Sequence, residues 1–156
     1  MFQWIQLWAS LYANHALLRT IVAFLHIGGL ALGGGTAISA DLANLAAYRR
    51  AGERPTALAR LVSSHRVVVP ALAVVFISGF LQLGSDLSTF TFSRVFWIKM
   101  SLVALLLVNG LLLLRAERAA LGDDAPQVWR RLRRASWTSL TLWLGITFLG
   151  AALLNI

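Results

Sequence analysis

His26 and Lys99 are the residues whose setting points most directly to chemistry. His26 sits inside the apolar run IVAFLHIGGLALGGG. A polar ring at membrane depth is costly, so it should face a bundle interior and hold a partner there. Neutral imidazole suits iron, and an axial haem ligand is the functional reading; the bland one is a histidine hydrogen-bonded to a neighbouring helix. Steps of three or four residues continue its face through Gly29, Gly33, Ala37 and Ala40. Such a small-residue stripe lets helices pack closely, and it leaves room for a flat cofactor against the backbone. Lys99 lies in RVFWIKMSLVALLL, about one and a half turns into a helix. It could clamp a cofactor carboxylate, relay a proton as a catalytic group or serve as an unusual haem ligand. Against this, a long cation near a helix end can snorkel to the interface, although Arg94 already anchors that end.

Other polar residues give weaker signals. His65 is expected some 20 Å or more from His26, too far to share one iron, and nearer to Asp41 or Asn44. His15, eleven residues before His26, is likewise too distant. Asp41 could join a proton path, though pairing with a loop arginine is commoner. Asn109 and Gly110 fall on the Lys99-Leu102-Leu106 face. Thr138, Ser139, Thr141, Gly145, Thr147 and Gly150 form a second small and polar set near the C-terminus; both groups read as packing glue. Gln82 should reach the His26 layer. No phosphate loop, nucleophile elbow, HExxH or dinucleotide fingerprint occurs.

The elements that must position these residues are membrane-spanning helices. Of the 156 residues, 58% are hydrophobic and 13% charged, about half the charged share of a soluble domain. Four segments approach or exceed the roughly 20 apolar residues a span requires: 17–48, 67–83, 95–114 and 135–156. The fold class is therefore an all-α four-helix membrane bundle in a single domain. The net charge of +8 resides mostly in two short connections, which argues for the positive-inside rule and against nucleic acid. Arg49, Arg50, Arg54, Arg60 and Arg66 occupy the first connection. Arg115, Arg118, Arg130, Arg131, Arg133 and Arg134 occupy the third. Both are expected on the cytoplasmic side, with both termini outside. Trp4, Trp8, Tyr12, Phe90, Phe92 and Trp97 would then form the outer aromatic belt, and Tyr48, Trp129 and Trp137 the inner one. Residues 1–14 read equally as an interfacial helix or as an extension of the first span, with no cleavable signal evident. The chain contains no cysteine, which excludes thiolate metal sites and iron–sulfur clusters.

A short internal match supports two parallel hairpins. Pro55-Thr-Ala-Leu-Ala-Arg-Leu61 aligns with Pro126-Gln-Val-Trp-Arg-Arg-Leu132, the pattern of a parallel repeat as found in transport proteins; convergent loop chemistry is the alternative. His26 precedes Pro55 by 29 residues (55 − 26) and Lys99 precedes Pro126 by 27 (126 − 99). The two are thus expected at similar depth.

The chain resembles a group of small four-helix membrane proteins that includes the HemJ-type protoporphyrinogen oxidases and CopD-like families. The resemblance rests on Leu25-His26-Ile27, on Pro70-Ala71 with Gly79, and on Trp97-Ile98-Lys99-Met100-Ser101-Leu102-Val103. It implies haem b, with His26 as metal ligand and Lys99 as its functional companion. Where the HemJ-type pattern has Trp-x-Ala-Gly and Pro-Arg stretches, this chain has Gly28 to Gly35 and Thr36-Ala37, and Asn109-Gly110 stands in place of a further histidine. Those departures bear on protoporphyrinogen oxidation itself more than on a bound porphyrin.

Three functions follow as expectations. The first is a haem-b protein of a bacterial inner membrane that transfers electrons, or oxidises a lipid-soluble or porphyrin substrate as a HemJ-like oxidoreductase. His26 would bind the metal, Lys99 would pair with a propionate or act catalytically, and Gly29 and Gly33 would make room for the macrocycle. Its partners would be the lipid bilayer and either a membrane redox protein or a second copy. The second is a small transporter or copper-resistance-type component, weakened by the two methionines and absent cysteine, since Cu(I) favours soft ligands. The third is a cofactor-free structural subunit of a membrane complex.

Overall fold

The computed structural model describes residues 3–153, so the outermost residues of the segments expected at 1–14 and 135–156 lie outside it. The described chain folds as α1 (Gln3–Asn14), α2 (Ala16–Arg49), a 3-10 turn (Ala51–Glu53), α3 (Arg54–Ser85), α4 (Leu87–Phe92), α5 (Arg94–Gly122) and α6 (Pro126–Ala152). Four helices, α2, α3, α5 and α6, are long and apolar enough to cross a membrane. Their outward faces carry large apolar side chains, with Phe24, Ile77, Phe80 and Phe148 all highly exposed. Lipid is the solvent that such a surface suits.

The helices begin and end where local chemistry directs them. Pro55 and Pro126 each fall in the first turn of a helix, where the missing N–H costs nothing; both halves of the short internal match are helix starts. The helices overrun the predicted spans at their basic ends, because the arginine-rich segments of both connections are themselves helical. At the opposite end the Asp86 carboxylate caps α4 by accepting the Thr89 N–H at 3.1 Å, and the Ser93 hydroxyl caps α5 by accepting the Phe96 N–H at 3.4 Å. His15 takes an extended conformation between α1 and α2. This break makes residues 3–14 a separate helix rather than an extension of the first span. The Trp8 indole anchors it by donating to the Leu81 carbonyl at 2.9 Å.

Two hairpins, α2–α3 and α5–α6, form the bundle, joined chiefly through α2 and α6 while α3 and α5 barely touch. Glycine sets the closeness of α2 and α3. A Cβ on Gly29 would lie 2.8 Å from Val75 Cγ2 and 3.2 Å from the Ala71 carbonyl oxygen, and one on Gly33 would lie 2.9 Å from the Ala71 Cβ. Gly34 accepts the face of Trp143, 3.2 Å from where its Cβ would stand. At the inner, arginine-rich end the hairpins are clasped together. Arg54 donates to both Asp124 carboxylate oxygens at 3.1 Å, Trp129 Nε1 donates to the same carboxylate at 2.6 Å, and the Arg54 guanidinium stacks 5.0 Å from the Trp129 ring centre.

Candidate functional site

Because α3 and α5 diverge, a groove between them reaches into the bundle at two levels. The outer cavity, about 140 Å³, holds His26 from α2 and Lys99 from α5, as equal depth in the two hairpins requires. Gln82 lines it, as expected, beside Phe76, Phe80, Phe90 and Phe96. The walls are otherwise apolar, so the two nitrogenous side chains are its main chemical features.

The hydrogen bonds of His26 fix its tautomer. Nδ1 lies 3.1 Å from the Val75 carbonyl and 3.0 Å from the Ser78 hydroxyl. The carbonyl can only accept, and the Ser78 hydroxyl gives its proton to the Val74 carbonyl at 2.6 Å. Nδ1 therefore carries the hydrogen and donates to both. Nε2 is left with its lone pair and no hydrogen-bond partner among the described residues. A ligating histidine has this arrangement, with the non-ligating nitrogen held by a backbone carbonyl. Ser78 is thus a positioning residue that sequence reading missed; its signal was a small polar residue one turn before Gln82. Gly79 gives the ring space, since a Cβ there would approach His26 Cε1 to 3.3 Å.

Lys99 is half-buried. A Cβ on Gly150 of α6 would lie 3.6 Å from its Nζ, and no anion or hydrogen-bond acceptor reaches that ammonium among the described residues. A partly buried cation without a partner favours an incoming carboxylate or another anion.

Gly29 and Gly33 require a correction. Neither lines the cavity; both are buried in the α2–α3 seam, where Val75 and Ala71 fill the space that a macrocycle would have needed. Their role is close helix packing, the other reading of a small-residue stripe.

The inner cavity, about 210 Å³, holds Asp41, Ser64, His65, Asn109 and Ser139. Leu72, Leu106 and Trp143, one each from α3, α5 and α6, line both cavities and form an apolar septum between them. His65 does not partner Asp41 or Asn44; its Nε2 meets Glu117 Oε2 at 2.7 Å. Glu117 went unremarked in the sequence, yet continuing the Lys99-Leu102-Leu106-Asn109 face in steps of four reaches Leu113 and then Glu117. Asn44 donates to the Ser136 hydroxyl at 2.9 Å and Asn109 to the Ala135 carbonyl at 3.0 Å, as packing residues should. Asp41 pairs with no arginine. His15 is exposed at the α1–α2 break, remote from both cavities.

Among the described residues no three His, Cys, Asp or Glu side chains gather into a metal-binding group. A metal at His26 would need most of its ligands from a non-protein source, and the four nitrogens of a porphyrin would supply them. The donor set fits haem: a free imidazole Nε2, an unpaired ammonium for a propionate and aromatic walls. The enclosed volume is below the roughly 300–1,000 Å³ typical of ligand pockets, so a macrocycle would extend into the groove between α3 and α5. No protein-family model, curated protein or solved structure matches this chain.

Proposed function

We propose that this protein is a membrane haem-b protein that handles electrons near the outer leaflet of a bacterial inner membrane. The single observation that carries the proposal is His26: its Nδ1 is bound to Val75 and Ser78, its Nε2 has no hydrogen-bond partner among the described residues, and the residue lines a cavity shared with Lys99. Bound haem b would supply reversible one-electron chemistry. His26 holds the metal through Nε2 and is kept in that tautomer by the Val75 carbonyl. Lys99 takes a propionate and sets the orientation of the group. Phe76, Phe90 and Phe96 exclude water. The gap between α3 and α5 admits a lipid-soluble reductant or a membrane redox partner. This reading shares its histidine–lysine pair with the HemJ-type proteins that the sequence resembles.

The test is a reduced-minus-oxidised visible spectrum of the detergent-purified protein with a pyridine haemochrome assay. The expected result is a b-type signal near one haem per chain, lost in His26→Ala and diminished in Lys99→Gln. A folded protein without the chromophore, or a full signal in His26→Ala, would overturn the assignment.

A further inference from the structure

The inner cavity contains a carboxyl group that the described residues leave without a partner. Asp41 is 1% exposed, and neither carboxylate oxygen has a hydrogen-bond partner. The Ser136 and Ser139 hydroxyls lie close by, but neither completes a bond to it. The other ionisable side chain lining the cavity, His65, is met by Glu117 Oε2 at 2.7 Å. An isolated buried carboxylate is costly, so a proton or a cation must neutralise it.

The surroundings define the partner. Around Asp41 the cavity offers the Ser139 hydroxyl, the Ser64 hydroxyl, which donates its own proton to the Leu61 carbonyl at 2.7 Å and keeps its lone pairs, and the amide oxygen of Asn109, whose nitrogen is occupied by Ala135. These are neutral hard oxygens around one carboxylate, with no thiolate or thioether among the lining residues. Oxygen donors of this kind select hard cations over transition metals. One carboxylate balances one positive charge, and a divalent ion would leave a net charge among Leu61, Leu72, Leu106 and Trp143. We propose that the inner cavity is a binding site for a monovalent alkali cation, ligated by Asp41, Ser139, Ser64 and Asn109.

The site is independent of the haem assignment: Asp41 lies fifteen residues beyond His26, about 22 Å along α2, across the septum. A cation held there would neutralise Asp41 and tie α2, α3, α5 and α6 together.

Thermal unfolding of the full chain in detergent tests the site, with sodium or potassium chloride replacing choline chloride at constant ionic strength. A ligand that binds only the folded state raises the midpoint saturably. The expected result is such a rise with at least one alkali ion, absent in Asp41→Asn and shifted to several-fold higher concentration in Ser139→Ala, which keeps the charge and covers the case in which Asp41→Asn fails to fold. Equal midpoints in alkali and choline salts, an undiminished alkali effect in Asp41→Asn, or no change in Ser139→Ala would each overturn the proposal. So would an infrared carboxylic-acid band that Asp41→Asn removes and sodium leaves unchanged, since a proton would then hold the place. Haem content is read on the same samples; its loss without loss of the alkali effect counts against the haem assignment alone.

Discussion

The outer and inner halves of this bundle use polar residues in opposite ways. In the outer half, two polar side chains keep a valence open: Nε2 of His26 and the ammonium of Lys99. In the inner half the polar residues are many and mostly spent on one another, as in Asn44 with Ser136, Asn109 with the α6 backbone, and His65 with Glu117. An unspent polar group at membrane depth marks a place for a guest; a spent one marks a joint. Asp41 is the exception that carries the outer logic into the inner half.

Substitution can break this contrast, and the largest expected effect is on the guest. If the guest is the proposed haem, His26→Ala should remove essentially all of it while leaving the helical circular dichroism unchanged, because the residue's other bonds are to a neighbouring helix that is already packed through Gly29 and Gly33. Collapse of the fold together with the chromophore would make His26 a joint after all. Gly29→Leu should do the reverse. It drives a side chain against the Ala71 carbonyl, which cannot rotate away, and overpacking of this kind costs about 1–3 kcal/mol. Denaturant titration in detergent should show the loss, and unchanged stability would mean the seam is looser than its distances indicate. Arg54→Ala should cost less, about 0.2–1 kcal/mol, because Asp124 is solvent-exposed and such pairs are screened; a double cycle with Asp124→Asn isolates the coupling.

The smallest effect concerns pH. Hydrogen bonding from Thr89 and Ser88 holds the Asp86 carboxyl below the usual carboxylate range. Its contribution to the α4 turn is therefore full above that range and is lost as pH falls through the lowered value. Amide exchange of Thr89 should quicken in acid, and Asp86→Asn should flatten that response.

The helices were legible from the sequence because a bilayer demands long apolar runs and the arginines mark their ends. The similar depth of His26 and Lys99, expected from their distances to Pro55 and Pro126, agrees with their lining one cavity. What was not legible depends on which helix each residue meets. Gly29 and Gly33 carry the same pattern whether they make room for a ligand or for Ala71 and Val75, and only the position of α3 decides. His65 could not be matched to Glu117 without knowing which residue of α5 its side chain reaches, although the periodic face through Asn109 pointed there. Trp143, four residues after Ser139, showed nothing in the sequence that marked it as the septum.

The Arg54–Asp124–Trp129 clasp also bears on the order of events in biogenesis. Its two charged members are 70 residues apart, so the lock cannot close until α5 and the turn beyond it have left the ribosome. During that interval the first hairpin has to persist in the lipid without its eventual partner. The glycine seam between α2 and α3 suits it for that wait, since it needs nothing from the second half of the chain.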